Sequence, residues 1–307
     1  MTLKNLRPLV VALGTLAIVA ACGGGGGGGG GTTAKETLTI GGFNFSESSI
    51  LADMYGQALK AKGYTIAYKL NLGSREVVAP ALKTGQVDLY PGYAATELEF
   101  FNNKKGEAGG DPQANVTKLN TYLSAFGAEA LTPSPASDEN AFAVTKALAT
   151  KDNLVKISDL KPVASQLVLG GPPECPTRPY CELGLKSVYG LTFKDFKSLD
   201  AGGSLTKGAL EKGDIDVGLV FSSDGAVAAK NFVVLQDDKQ LEAADNIVPL
   251  IRTNKANSEV TSLLNSIDAK LTLVDLTAMN KSADIDKEDP ATLATNWLKQ
   301  HGFSATT

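Results

Sequence analysis

The chain has 307 residues, of which 43% are hydrophobic and 20% are charged, and its formal net charge is −4. These values are ordinary for a globular protein with a real core, and the length allows one large domain or two of medium size. The basic residues are not clustered, so the charge pattern does not favour a nucleic-acid-binding protein.

Residues 1–22 have the features of a bacterial secretory signal. Lys4 and Arg7 precede a short apolar run, and small residues lead from that run to Cys22. This order resembles a lipobox, in which Cys22 would receive a lipid and become the mature N-terminus. The alternative is an ordinary signal peptide that contains a cysteine.

A run of glycines follows at residues 23–31, so we predict a flexible tether over residues 23–35. A tether directly after a lipid anchor makes physical sense, whereas the same run inside a domain would not. No other segment is long and apolar enough to span a bilayer. We therefore expect a globular body that its lipid holds to the extracytoplasmic face of the cell membrane.

The remaining two cysteines, Cys175 and Cys181, close a short loop that contains two prolines. Outside the cytosol such a pair favours a disulfide, with two free thiols as the alternative. A zinc site is not favoured, because the pair lacks the usual partners and the single histidine, His301, lies near the C-terminus.

After the tether, the sequence alternates strand and helix patterns. Residues 37–45 alternate β-branched and apolar side chains, which predicts a strand. Apolar residues at helical spacing and a closing Gly63 predict a helix that begins at Ser46 or Ser48. Further patterns predict a strand at 65–72, a helix at 74–82 and a strand at 87–89. Alternation of this kind indicates an α/β fold with parallel strand pairing.

The same local plan returns later in the chain. Residues 81–88 (ALKTGQVD) are echoed by residues 209–216 (ALEKGDID), each with a helix end, a glycine and a strand that begins with valine or isoleucine before aspartate. A match this short also fits two unrelated helix–strand corners. We interpret it as evidence for two α/β lobes of similar design.

The two lobes are predicted to connect twice. A Pro/Ser segment at residues 131–137 suits a connection. The later patterns are strands at 232–235 and 247–251 and helices near 257–271, 273–282 and 290–300. These helices have no sheet of their own, so we expect them to pack on the first lobe. The predicted parts are a first lobe at 36–136, a second lobe at 137–235 and a return to the first lobe at 236–307. Two crossings leave a ligand cleft that opens and closes by hinge motion.

Candidate ligand-binding residues follow the predicted strands, because ligands of open α/β sheets bind beyond the carboxyl ends of strands. They are Phe43, Asn44 and Phe45 after the first strand, Tyr90 and Tyr93 in a YPGY turn after the third, Asn140 and Phe142 at the entry to the second lobe, and Phe221 and Asp224 after residues 215–220. Each aromatic residue alone would also fit core packing.

Together, these aromatic residues favour a ligand with a quaternary ammonium group. Cation–π attraction holds such a group with about 0.5–2 kcal/mol per good contact. We expect Tyr90 and Tyr93 to form part of a wall that faces Phe142 and Phe221 from the other lobe. The sequence does not show which of the two tyrosines points into the cleft, and the other would pack beneath it. A carboxylate on the same ligand would need hydrogen-bond donors, and the candidates are Ser48, Ser74, Arg75 and Thr96.

Three stretches, IGGFNFSES, LNLGSREVVAPALKTGQVDLYPGY and PPECPTRPYC, resemble the substrate-binding proteins of ABC importers for glycine betaine, choline and related osmoprotectants. The resemblance covers essentially the whole chain after the tether. It implies a two-lobed periplasmic-binding-protein fold of type II, an aromatic cage in the cleft, a membrane permease as partner, no cofactor and no catalysis. We also expect a monomer.

Several positions depart from the pattern of this family. Ser48 replaces a glutamine, and Phe142 and Phe221 replace tyrosines. Phenylalanine keeps the π face but loses the hydroxyl group, so the cage would suit a different or more apolar ligand.

Other functions remain open at this stage. An enzyme would need a nucleophile–base pair or a metal site, which no motif provides. A surface adhesin or scaffold lipoprotein would not gain thermal stability from a small ligand, whereas a binding protein would. Glycine betaine, choline, carnitine and non-quaternary ligands are not distinguished by the sequence.

Overall fold

The computed structural model describes residues 35–303. The predicted signal, the lipidation site Cys22 and the glycine run lie outside the described residues, and so do residues 304–307. The strands are β1 (Thr37–Gly41), β2 (Thr65–Lys69), β3 (Leu89–Tyr93), β4 (Ala128–Ala130), β5 (Asn140–Thr145), β6 (Val168–Gly171), β7 (Asp195–Ser198), β8 (Val217–Phe221), β9 (Phe232–Leu235) and β10 (Ile247–Arg252). The helices are α1 (Ser46–Ala61), α2 (Arg75–Lys83), α3 (Ala94–Phe101), α4 (Pro112–Leu123), α5 (Lys146–Asp152), α6 (Glu182–Tyr189), α7 (Ser204–Lys212), α8 (Ala226–Ala229), α9 (Ser258–Asp268), α10 (Leu273–Lys281) and α11 (Pro290–Gln300).

The strands form two mixed sheets, and each sheet is the centre of one lobe. The first sheet has the order β2-β1-β3-β10-β4, and the second has the order β7-β6-β8-β5-β9. β1 runs parallel to β2 and β3, and β6 runs parallel to β7 and β8. The chain enters β5 and β10 from the opposite lobe rather than through a helical crossover, and both strands are antiparallel to their neighbours. The predicted parallel pairing therefore holds only for the strands that helices connect.

The two crossings between the lobes lie side by side. Ser137 and Asn246 form an antiparallel bridge, and the backbone N–H of Asp138 donates to the carbonyl of Asp245 at 3.0 Å. Leu241 still packs in the core of the second lobe. The return to the first lobe therefore follows Leu241, later than the predicted boundary at residue 236. Two paired segments of this kind form a hinge.

The C-terminal helices pack on the first lobe. Val260 on α9, Leu276 on α10 and Trp297 on α11 belong to the same buried core as the strands β1, β3 and β10. Asp289 caps α11 by accepting a hydrogen bond from the backbone N–H of Thr292, with a proline at the first helical position as expected.

The repeated motif has the same structure in both lobes. Gly85 and Gly213 each end a helix with φ of +74°, a left-handed conformation that favours glycine. Asp88 then accepts a hydrogen bond from the backbone N–H of Thr39 at 2.9 Å. Asp216 accepts one from Val168 in the same way at 2.8 Å. In each lobe this aspartate, directly before its own strand, ties the start of that strand to the neighbouring parallel strand.

The third strand differs from its prediction. It covers Leu89–Tyr93, so the YPGY residues belong to a strand and do not form a turn. Pro91 lies opposite Pro249 of β10. The carbonyl of Pro249 points away from β3 and accepts a hydrogen bond from the backbone N–H of Leu131. The two prolines therefore face each other at a non-hydrogen-bonded position, where the ladder needs no N–H from either.

Candidate functional site

A cavity of about 180 Å³ lies between the two lobes. Its walls come from the segments that follow the parallel strands of both sheets, together with the start of β5 and Asp245, which lies two residues before β10. Nine of the predicted binding residues line it: Phe43, Asn44, Phe45, Ser74, Arg75, Tyr93, Thr96, Asn140 and Phe221. The cavity has room for roughly a dozen water-sized positions, so a small organic molecule fits inside.

Four aromatic rings form one wall of this cleft. Phe43 and Phe45 are stacked, with ring centroids 5.5 Å apart and planes inclined by 5°. Tyr93 tilts against both rings at 6.2 and 6.3 Å. Phe221 reaches from the second lobe to within 5.9 Å of Phe45. A ligand in the cleft therefore meets π faces from both lobes.

Four predicted residues do not line the cleft: Ser48, Tyr90, Phe142 and Asp224. Tyr90 and Phe142 are completely buried, and the Oγ of Ser48 accepts a hydrogen bond from the backbone N–H of Phe43 at 2.8 Å. Side chains alternate along a strand, so Tyr90 and Tyr93, three positions apart, point to opposite faces of β3. Tyr90 lies beneath the wall and packs edge-on against Phe43 at 5.7 Å.

Phe142 and Asp224 were predicted to contact the ligand, but neither lines this cavity. Phe142 in β5 lies opposite Leu219 and Leu235 of the neighbouring strands and belongs to the core of the second lobe. Asp224 forms a buried ion pair with Lys207 at 2.6 Å. Asp224 faces a second cavity, of about 520 Å³, which Phe45 and Phe221 also line.

Arg75 is the buried cation of the cleft. Its Nε donates to Glu97 at 2.8 Å, and its Nη2 donates to the hydroxyl of Thr96 at 2.6 Å. Burial lowers the pKa of Arg75, but the carboxylates of Glu97 and Asp245 outweigh this effect and raise it. Arg75 therefore remains charged and is held in one orientation at the cleft wall.

The cleft has a surplus of acidic groups. Six acidic side chains line the cleft, and only three basic ones do. The acidic residues are Glu76, Glu99, Asp138, Glu174, Asp200 and Asp245, and the basic residues are Arg75, Lys104 and Arg178. Burial raises the pKa of Asp245 to about 7, although Arg75 and the backbone N–H groups of Ala95 and Thr96 lower it. Burial also raises the pKa of Asp138 well above its usual range, and the nearby Glu47 raises it further. A bound cation would favour the ionised forms of both groups.

Sequence reasoning missed the contribution of the cysteine loop. Cys175 and Cys181 form a disulfide, with Cα atoms 5.1 Å apart. The loop places Tyr180 in the cleft wall, and Asn140 donates to the carbonyl of Tyr180 at 2.7 Å. An aromatic residue inside a proline-stiffened, disulfide-closed loop could have been proposed from the sequence.

The same loop contacts the first lobe. Arg178 donates to Glu76 of α2 at 2.7 Å, and Lys104 donates to the carbonyl of Thr177 at 2.6 Å. These contacts cross the rim of the cleft, so the structure represents an arrangement with the lobes closed.

Comparison with known proteins shows which family the chain belongs to. A model of the substrate-binding domain of ABC-type glycine betaine transport systems matches residues 36–300. The chain belongs to this family. The match confirms the resemblance that the sequence motifs indicated.

Three individual relatives share between 20% and 28% sequence identity with this chain. The chain is 28% identical over 279 residues to the glycine-betaine-binding protein of Pseudomonas aeruginosa, and the alignment covers 87% of this chain and 88% of that protein. The crystal structure of a glycine betaine/carnitine/choline ABC transporter protein matches with a TM-score of 0.67 and 25% identity, covering 87% of this chain and 98% of the other.

A lactococcal family member, OpuAC, in its closed form with glycine betaine, matches with a TM-score of 0.62 and 20% identity, covering 87% and 97% of the two chains. The predicted two-lobed periplasmic-binding-protein fold is confirmed. Within residues 35–303, no helix is long and apolar enough to cross a membrane.

Proposed function

We propose that this chain is the extracytoplasmic solute-binding protein of an ABC importer and that it binds a small quaternary amine. The ligand occupies the cleft between the lobes, and the closed protein delivers it to the permease. The family membership supports the transport role, and relatives are named for glycine betaine and for carnitine.

The aromatic wall is the observation that carries the choice of ligand. Tyr93, Phe43 and Phe45 from one lobe and Phe221 from the other offer π faces to a small cavity with surplus acidic groups. A quaternary ammonium cannot donate ordinary hydrogen bonds, so it gains most from π faces and from nearby negative charge. A neutral polar ligand would gain little from such a wall.

Arg75 indicates which quaternary amine binds best. Its guanidinium lines the cleft beside Thr96, and arginine is suited to bind a carboxylate. Glycine betaine has a carboxylate, whereas choline has a hydroxyl group instead. We therefore place glycine betaine ahead of choline.

Titration calorimetry with a ligand panel tests this function. Glycine betaine, carnitine and choline should bind to the wild-type protein, while N-acetylated amino-acid amides, which carry no charge, should not. Arg75→Lys should weaken glycine betaine binding about tenfold or more, because the two-pronged contact with the carboxylate is lost, and should leave choline binding nearly unchanged. A preference of the wild type for neutral or aromatic ligands over every quaternary amine would contradict the proposal.

We further infer that the protein is not an enzyme. His301 lies far along the chain at the end of α11, where its ring stacks on Trp297 at 4.0 Å. Cys175 and Cys181 are engaged in a disulfide. Among residues 35–303, the histidine and the cysteines are therefore not placed as a nucleophile–base pair in the cleft.

The lipid anchor at Cys22 and the monomeric state are also proposals. The anchor is supported by the small residues before Cys22 and by the glycine run after it. Cys22→Ser should release the protein from the membrane fraction of cells, and a mutant that stays in that fraction would contradict the anchor. Sedimentation of the released protein at a monomer mass would support the monomer.

A further inference from the structure

Behind the aromatic wall, a buried carboxylate joins the two lobes. Glu47 lies in the first turn of α1 and is only 4% exposed. One of its oxygens accepts a hydrogen bond from the hydroxyl of Tyr93 at 2.7 Å. The other accepts from Ser223 at 2.7 Å and from the side-chain amide of Asn280 at 2.6 Å. Glu47 therefore contacts a cleft-wall residue on one side and a residue of the second lobe on the other.

Of the three donors to Glu47, only Ser223 belongs to the second lobe. Tyr93 and Asn280 belong to β3 and α10 of the first lobe, as Glu47 does, whereas Ser223 follows β8 of the second lobe. The lobes are tightly packed at this point. A Cβ atom on Gly225 would lie 2.5 Å from the carbonyl oxygen of Thr277 on α10.

The net effect of its surroundings is to raise the pKa of Glu47, although hydrogen bonds offset part of the rise. Burial raises the pKa of Glu47, while hydrogen bonds from Asn280, Ser223 and Tyr93 lower it. The position in the first turn of a helix also favours a negative charge. Losing one donor from a buried carboxylate is costly, because hydrogen bonds to charged groups are among the strongest in proteins.

We propose that Glu47 is a positioning residue that couples lobe closure to the aromatic wall: it orients Tyr93 and gains the hydrogen bond from Ser223 only when the lobes close. The role of the wall in ligand binding rests on the proposed function, whereas the contact between the lobes does not. Closure completes the set of donors around Glu47, and this set holds the Tyr93 ring at the cleft.

Ser223→Ala tests the link without touching the ligand. The matched control is Ser222→Ala: Ser222 is the neighbouring serine, and its hydroxyl accepts from the backbone N–H of Glu139 rather than contacting Glu47. Spin labels at the exposed positions Thr121 and Lys151, one in each lobe, report the distance between lobes with and without glycine betaine. The labels are introduced in the Cys22→Ser protein, in which the disulfide between Cys175 and Cys181 leaves no native thiol for the label.

Ser223→Ala should shift the distance distribution towards the open form, both in the ligand-free protein and at subsaturating glycine betaine. It should also weaken glycine betaine binding about tenfold, mainly through faster dissociation. Ser222→Ala should behave like wild type in each measurement. A Ser223→Ala protein with the wild-type distribution in both conditions would overturn the proposal.

A double-mutant cycle tests the connection to Tyr93. If Glu47 links the two contacts, Ser223→Ala and Tyr93→Phe should be non-additive in their effects on glycine betaine affinity. Additive effects would overturn the coupling. Should the wild type bind no quaternary amine, the proposed function fails, and the distance distributions of the ligand-free variants still decide whether Ser223 holds the lobes together.

Discussion

Replacing Tyr93 with leucine tests whether the aromatic wall binds a cation. Tyr93 lines the cleft and packs against Phe43 and Phe45 at ring-centroid distances of 6.2 and 6.3 Å. Leucine fills much of the same volume but offers no π face. The expected loss is one cation–π contact, roughly 0.5–2 kcal/mol. Since 1.4 kcal/mol corresponds to a factor of ten in Kd, glycine betaine should bind about tenfold more weakly.

The substitution also affects the stability of the fold, so the control must separate the two effects. The hydroxyl of Tyr93 donates to the buried Glu47 at 2.7 Å. Both Tyr93→Leu and Tyr93→Phe lose this hydrogen bond, which should lower the free energy of unfolding by about 1–3 kcal/mol. A domain with a typical stability of about 5–15 kcal/mol stays folded after such a loss. Tyr93→Phe is therefore the matched control, because it removes the hydroxyl and keeps the ring.

The assay is titration calorimetry with glycine betaine, together with circular dichroism to confirm that each variant is folded. The phenylalanine variant should bind more tightly than the leucine variant, although both have lost similar stability. Tyr90→Phe should leave Kd unchanged, because Tyr90 is buried and donates to Glu97 beneath the wall. Equal Kd values for the leucine and phenylalanine variants at position 93 would refute the reasoning, since the π face would then contribute nothing.

Two further tests concern pH and the disulfide. Burial raises the pKa of Asp245 to about 7, and a cation in the cleft favours the ionised form. Kd for glycine betaine should therefore fall by up to about tenfold between pH 6 and pH 8, and an undiminished fall in Asp245→Asn would contradict this. The same raised pKa means that Asp245 stabilises the ligand-free fold at low pH and that this contribution is lost as the pH rises towards 7. Replacing Cys175 and Cys181 with serine should lower the free energy of unfolding in chemical denaturation by about 2–3 kcal/mol. Two reactive thiols in the unfolded, non-reduced wild type would contradict the bridge.

Helices were the part of the fold that the sequence predicted best, because their ends depend on local chemistry. Asp289 before Pro290 predicted the start of α11, and the structure shows that cap. The repeat at residues 81–88 and 209–216 likewise reports a local arrangement of helix, glycine and aspartate, which has the same hydrogen bonds in both lobes. Short-range patterns of this kind need no knowledge of distant partners.

The assignment of β3 failed for a reason that lies outside the local sequence. Proline and glycine in YPGY favour a turn, and only the pairing of Pro91 with Pro249 makes a strand acceptable there. Once the segment is a strand, alternation places Tyr90 and Tyr93 on opposite faces. The sequence could not show which tyrosine faces the cleft because this alternation applies only once the segment is known to be a strand.

The position of two acidic groups in the cleft depends on a contact between residues that are even farther apart in the sequence. Asp138 and Asp245 lie in the two crossing segments, which a hydrogen bond between their own backbones joins. Nothing near either residue in the chain indicates the other, so the sequence could not predict that their carboxyl groups, which a bound cation would help to ionise, both line the cleft. Both lie at the hinge, where closure removes water and strengthens electrostatic attraction. A cation bound between the lobes would therefore be attracted most strongly in the closed form, which is the form that the contact between Glu47 and Ser223 also favours.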